Sequence, residues 1–185
     1  AILTEWNHLE ELHNLLESAL EKLKRAERSS WDILYLNVVR GFLAFNDIAS
    51  AKYILKLLED GVRTSQLPGP YLNDILAWKI HVCLREGNTL LAKEAAEELK
   101  HLDFTKPAYL DEEAYFSIAR LWTVQERFQQ AAKLLDTLQV NAQRGGRNAR
   151  LIKIHILRAV VEERQKRLPT ARKYPQRAIA LGEPE

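Results

Sequence analysis

The sequence predicts an all-α fold, an α-solenoid built from about four to five antiparallel helix pairs. Apolar residues recur at offsets of 3, 4 and 7, which is the spacing of one helix face, and no sustained alternation predicts strands. The same apolar pattern then returns along the chain at intervals near 40 residues, which is typical of stacked helical repeats.

Five residues mark where one apolar segment stops and the next begins, and we call them the pivots. They are Asn7, Asn46, Gly87, Glu126 and Lys166, separated by 39, 41, 39 and 40 residues. An alanine follows five positions after each of the last four pivots, where the second helix of a pair must approach the first closely. Each repeat is therefore predicted as two helices joined at a pivot. Because a single pair cannot bury its apolar stripe, residues 1–185 are predicted to form one helical-repeat domain.

Helices are predicted, in order, over residues 8–26, 31–45, 48–64, 71–86, 90–101, 108–125, 128–143, 147–165 and 168–181. Helix-breaking residues separate the repeats, at Ser29-Ser30, Pro68-Gly69-Pro70, Lys106-Pro107 and Gly145-Gly146. Pro175 interrupts the last helix, and its missing N–H predicts a break or a kink there.

The predicted core follows from the register of each repeat. Positions eleven and seven before the pivots hold Tyr35, Val39, Leu76, Ile80, Tyr115, Ala119, His155 and Ala159. Positions five and twelve after the pivots hold Leu12, Ala19, Ala51, Leu58, Ala92, Leu99, Ala131, Leu138, Ala171 and Ala178.

The composition excludes several classes of protein. With 46% hydrophobic residues, 28% charged residues, seven Gly and six Pro, the chain is neither collagenous nor disordered. A single cysteine, Cys83, cannot form an internal disulfide, which predicts a cytoplasmic location. No apolar run is long enough to predict a membrane span. The start at Ala1 and the absence of Met predict that the chain is part of a longer protein.

Charge is distributed unevenly along the chain. The formal net charge is +2, but residues 1–140 carry −5 and residues 141–177 carry +9. Such a basic end could attract phosphate or an acidic partner, and the alternative is a solvated helix face. Because no aromatic residue except Tyr174 interleaves with these basic residues, direct nucleic-acid binding is not predicted.

The sequence offers no recognisable catalytic or metal-binding motif. The five His residues are scattered without a ligand spacing, and Cys83 falls on the packed stripe, so no metal site is predicted. Adjacent acidic residues such as Glu97-Glu98 and Glu112-Glu113 diverge by about 100° on a helix, and we interpret them as solvated surface. The chain is therefore predicted not to be an enzyme. An enzyme formed by this region would need titratable groups that converge on one face.

The repeat register also predicts a binding face. In helical hairpins of this kind the first helix lines the concave side, next to the packed stripe. Positions six and thirteen before the pivots place six polar residues there, and we expect them to contact an inducer or partner: Arg40, Asp74, His81, Glu113, Arg120 and Lys153. Arginine suits this role because its planar fork of donors fits carboxylates, phosphates and sugar hydroxyls. The alternative interpretation is a row of ordinary solvated charges.

Two resemblances make the prediction more specific. The offsets resemble the tetratricopeptide repeat, in which an Ala follows five residues after the turn between two helices. The end segments resemble the helical-repeat region of MalT-like, LuxR-family transcriptional activators. The segments that carry this resemblance are Glu5-Trp6-Asn7-His8-Leu9-Glu10, Gly145-Gly146-Arg147-Asn148-Ala149-Arg150-Leu151-Ile152-Lys153-Ile154 and Arg177-Ala178-Ile179-Ala180-Leu181-Gly182-Glu183-Pro184-Glu185.

The resemblance implies a sensor region within a larger regulator. A nucleotide-binding module that takes ATP and a helix-turn-helix module that binds DNA would lie outside these residues, and no phosphate-binding loop motif occurs within them. The expected partners are a small-molecule inducer, a protein or peptide on the concave face, and the other modules of the same chain. No cofactor is expected in this region. The alternative is a general tetratricopeptide-like adaptor that docks peptides or protein subunits.

Overall fold

Helices dominate the computed structural model, which describes residues 11, 14–18, 20–21, 34–65 and 69–182. Within these residues the chain is all-α, as predicted, and no strand occurs. Helical positions among residues 11–21 precede α1. The remaining elements are α1 Leu34–Ala44, α2 Ile48–Ser65, α3 Gly69–Arg85, α4 Thr89–Glu97, a 3-10 turn Tyr109–Asp111, α5 Glu112–Val124, α6 Phe128–Arg144, α7 Asn148–Arg164, α8 Leu168–Ala171 and α9 Lys173–Gly182.

The chain divides into two compact units, Ala1–Ala95 and Ala96–Glu185. In the first unit α2 packs against both α1 and α3. In the second unit α6 packs against α5 and α7, α5 also contacts α7, and α7 packs against α8 and α9. The pairs α1–α2, α2–α3, α5–α6 and α6–α7 thus pack as hairpins within their units.

The turns between paired helices share one backbone geometry. Asn46, Gly87, Glu126 and Lys166 all have positive φ, between 60° and 74°. The N–H after each of these residues donates to the carbonyl five residues earlier, at 2.8 to 2.9 Å, which is the Schellman pattern of helix ends. Gly146, with φ of 61°, makes the same turn between α6 and α7. The first pivot, Asn7, lies outside the described residues.

The predicted core positions are buried in both units. Val39, Ile80, Ala119, Leu76, Tyr115, His155, Ala51, Ala92, Ala131, Ala171, Leu58, Leu99, Leu138 and Ala178 are all buried, whereas Ala159 is half-buried. Leu12, Ala19 and the Tyr35 side chain lie outside the described part of the chain. The alanines five after the pivots are buried because the two helices of a hairpin are close together near their turn.

A glycine within α1 permits another close approach. A Cβ placed on Gly41 would lie 2.7 Å from the Cδ2 atom of Leu16, which is itself almost fully buried. Leu16, which precedes α1, therefore packs directly against the α1 backbone in the first unit. This contact explains why a helix interior tolerates a residue of low helix propensity.

Three predicted helices differ from the structure, and the one predicted over residues 108–125 begins at Glu112, after the 3-10 turn Tyr109–Asp111. The helix predicted over residues 90–101 ends at Glu97. Beyond it the N–H groups of Leu99 and Lys100 donate to carbonyls three residues earlier, which is the 3-10 pattern and not the α-helical one. The Asp103 carboxylate then accepts the N–H groups of Thr105 and Lys106, a local turn that competes with helix continuation.

The predicted break in the last helix is present, although it lies just before the proline. Residues 168–181 were predicted as one helix, and the structure divides it into α8 and α9 at Arg172. Pro175 cannot donate to the Ala171 carbonyl, so α8 loses a bond there and α9 restarts with Pro175 in its first turn.

Among the described residues no helix combines the length and apolar character needed to cross a membrane. The same residues contain no group of three or more His, Cys, Asp or Glu side chains that could hold a metal ion. Cys83 is buried, in agreement with its assignment to the packed stripe.

Candidate functional site

Six charged side chains of the second unit gather where α5 and α7 meet, and we call them the ion cluster. Its members are Glu112, Glu113, Arg120, Arg147, Arg150 and Lys153. The two glutamates occupy the first turn of α5, where a negative charge is favoured by the helix dipole. Arg150 and Lys153 are three residues apart and therefore share one face of α7.

The ion pair between Lys153 and Glu113 uses both oxygens of the carboxylate. The Lys153 ammonium donates to both carboxylate oxygens of Glu113, at 2.7 and 2.6 Å. The same ammonium lies 4.6 Å from the centre of the buried Phe116 ring. Burial, together with the positive charges of Arg120 and Arg150, lowers the pKa of Lys153 to about 8 in spite of its carboxylate partner.

Arg120 and Arg150 lie near the Glu113 carboxylate, one beside each of its two oxygens. An Nη1 atom of Arg120 lies 3.8 Å from Glu113 Oε1, and Arg150 Nη1 lies 3.8 Å from Glu113 Oε2. Burial alone would raise the pKa of Glu113, but the three cations together hold it below the usual carboxyl value. Burial also lowers the pKa of Arg120, whose Nη1 atom is inaccessible to solvent and has no hydrogen-bond partner.

Glu112 is the most deeply buried member of the ion cluster, with 4% of its surface exposed. It pairs with Arg147, and its Oε2 atom lies 3.2 Å from Arg150 Nε. The Arg147 guanidinium also lies 4.9 Å from the centre of the Tyr109 ring. The interpretation of Glu112-Glu113 as solvated surface was therefore wrong: both side chains are largely withdrawn from water and face the cations Arg147, Arg150 and Lys153.

The ion cluster holds more positive than negative charge. Four cations surround two carboxylates, so the formal sum is +2 when every group is ionised. Withdrawing charges from water costs free energy that ion pairing only partly returns. An uneven set of partly buried charges therefore stabilises the fold poorly, whereas it is well suited to receiving a charged ligand.

The structure brings together three of the six residues predicted for the binding face. Glu113, Arg120 and Lys153 belong to the ion cluster of the second unit. Arg40, on α1, is exposed, whereas Asp74 and His81, on α3, are half-buried in the first unit. The His81 ring stacks on Trp78, with ring centres 5.5 Å apart and planes 14° apart.

Sequence reasoning missed the other three members of the ion cluster. Arg150 could have been found, because it precedes Lys153 by one helical turn on the same face. Glu112 and Arg147 gave no comparable signal, since their inward orientation depends on how α5 packs against α7.

Comparison with known proteins identifies one relationship. The whole chain, residues 1–185, matches the family model described as the MalT-like TPR region. No curated protein and no solved structure matches the chain.

Proposed function

We propose that this chain, which belongs to the family of MalT-like TPR regions, is the ligand-sensing and protein-interaction region of a LuxR-family transcription regulator. It acts by binding rather than by catalysis. The nucleotide-binding and DNA-binding modules that it controls lie outside these residues, and ATP and DNA are bound there.

The observation that carries this proposal is the ion cluster. Its charges come from first helices of successive repeats, the helices that line the concave side of such hairpins, and three of its members occupy positions predicted for the binding face. Partly buried, incompletely satisfied charges at one place in a fold are a common feature of binding sites.

Sensing would operate through a shift in population between arrangements of the modules. An inducer that binds the ion cluster more tightly in one arrangement favours that arrangement by its difference in affinity. The favoured arrangement frees the nucleotide-binding module for self-association and presents the DNA-binding module. Binding that is equally tight in both arrangements would change nothing.

A thermal-shift screen of the chain against a library of metabolites tests the proposal. A ligand selective for the folded state raises the unfolding midpoint, and above Kd the rise grows with the logarithm of the ligand concentration. The effect should disappear in the double variant Arg120→Gln/Lys153→Gln, which changes two members of the ion cluster, and persist in Arg164→Gln, which alters an exposed arginine at the end of α7.

Circular dichroism shows whether the double variant keeps its helical content. A screen without a hit, or a hit that binds the folded double variant unchanged, contradicts the proposal.

A specific observation favours the alternative, a tetratricopeptide-like adaptor for peptides. Ile156 and Val160 are exposed one turn apart on α7, on the side that also carries Lys153, and they would suit an apolar peptide side chain. The complete reading frame separates the two functions. A phosphate-binding loop upstream and a helix-turn-helix downstream support the regulator, and their absence supports the adaptor.

A further inference from the structure

Two guanidinium groups of the ion cluster have donors that the protein does not use. The Lys153 ammonium occupies both oxygens of Glu113, so Arg120 and Arg150 reach that carboxylate only at 3.8 Å, beyond hydrogen-bond distance. The contact of Arg150 Nε with Glu112 leaves Glu112 Oε2 without a hydrogen bond. Each arginine therefore contributes charge to the cluster while its forked donors remain available.

We propose that the ion cluster binds an oxyanion group, the carboxylate or phosphate of a small ligand, through Arg120 and Arg150. This inference rests on the proposed function and adds the chemistry of the ligand. The two guanidiniums flank one carboxylate from its opposite oxygens, so an acceptor with several oxygens can bond to both.

Charge favours an anion over a neutral or cationic ligand. The six ionised members of the cluster sum to +2, so one negative ligand lowers the excess and a cation increases it. The positive charges of Arg120 and Arg150 already disfavour protonation of Lys153, and a bound anion would relieve that repulsion.

The side chains that carry these donors are partly open to solvent, although the Nη1 atom of Arg120 itself is buried. The side chains of Arg120, Lys153 and Arg150 are 20%, 26% and 39% exposed, respectively. This range is low enough to strengthen a charge-assisted hydrogen bond and high enough to admit a ligand.

Inorganic phosphate and acetate are suitable probes, each titrated into the chain at constant ionic strength set with sodium chloride. Glycerol serves as the neutral comparison. We expect phosphate, acetate or both to raise the unfolding midpoint by about 4 °C at ten times Kd, and further with the logarithm of the concentration. The anion that raises the midpoint identifies the class of oxyanion, phosphate or carboxylate.

The double variant Arg120→Gln/Arg150→Gln should lose this response, and Arg164→Gln should keep it. The single variant Arg150→Gln, which changes the most exposed of these side chains, should weaken it at least fivefold in Kd if the double variant does not fold. No rise of the midpoint with either anion, or an equal rise in the folded double variant, overturns the inference.

Proton uptake supplies a second measurement on the unaltered chain. Calorimetric titration at pH 8 in two buffers of different ionisation enthalpy should show uptake of up to about half a proton per anion, because the anion favours protonated Lys153. Zero uptake or net release contradicts the assignment.

A different result distinguishes failure of this inference from failure of the proposed function. If neutral metabolites stabilise the chain through Arg120 and Lys153 while phosphate and acetate do not, the sensing function stands and the oxyanion inference falls.

Discussion

Lys153 and Glu113 occupy the same position in successive repeats, thirteen residues before Lys166 and Glu126 respectively, and their side chains bond to each other. The ammonium reaches both carboxylate oxygens across a separation of 40 residues, which is one repeat length. The same repeat position thus carries a negative side chain in α5 and a positive one in α7. Their ion pair links the two helices. Arg120 and Arg150 share the same carboxylate, so the link is also the centre of the ion cluster.

Replacing Glu113 by Gln should lower the free energy of unfolding by about 2 kcal/mol at pH 7, since three cations would lose their shared counter-charge. Without its carboxylate partner Lys153 can release its proton and become neutral, which limits the loss of stability. Urea denaturation measures the change. The matched variant Glu163→Gln, on an exposed position of α7, should alter stability by less than about 0.5 kcal/mol. Equal effects of the two substitutions would show that the cluster does not hold α5 to α7.

Lys153 predicts an alkaline dependence of stability. Its pKa is about 8 in the fold, whereas the ordinary value is 10.5, so the unfolded chain binds more protons between these values. The contribution of Lys153 to the free energy of unfolding should therefore rise as the pH increases from about 8 to about 10.5. Urea midpoints across this range, compared with those of Lys153→Met, isolate the contribution. Parallel curves for the two proteins would contradict the prediction.

His155 predicts an acid dependence. The side chain is buried beside the Tyr174 ring, and burial, followed by the charge of Arg177, lowers its pKa. The unfolded chain therefore binds the proton more readily, so stability should fall as the pH drops below 6.5.

In His155→Phe this part of the pH dependence should disappear, as measured by thermal unfolding from pH 7 to pH 5. His101→Gln, at an exposed position, provides the comparison. An unchanged slope in His155→Phe would rule out His155 as its source.

The pivots allow a direct test of backbone conformation. A Cβ on Gly87 would meet nothing within 4 Å, so Gly87→Ala should destabilise the chain by about 1 kcal/mol through its positive φ alone. Glu126→Gly, at φ of 60°, should be neutral or stabilising by up to about 1 kcal/mol for the same reason. Chemical denaturation of both variants checks the opposite signs, and destabilisation by Glu126→Gly would contradict this account.

The local features of this fold could be predicted from the sequence because they depend on neighbours along the chain. The apolar period places each helix, and the alanine after each pivot identifies the close contact at a hairpin turn. Even the break near Pro175 follows from one missing N–H, although its location at Arg172 reflects the carbonyl four residues before the proline.

Only the tertiary structure decided which charges leave the solvent. Repeat register placed Glu113, Arg120 and Lys153 on a common face, but a periodic pattern contains no information about the stagger of α5 against α7. That stagger buries Glu112 opposite Arg147 and gives both oxygens of Glu113 to Lys153. The sequence by itself thus determined helices, turns and faces through short-range geometry, whereas the pairing of charges required the packing of residues about 40 positions apart.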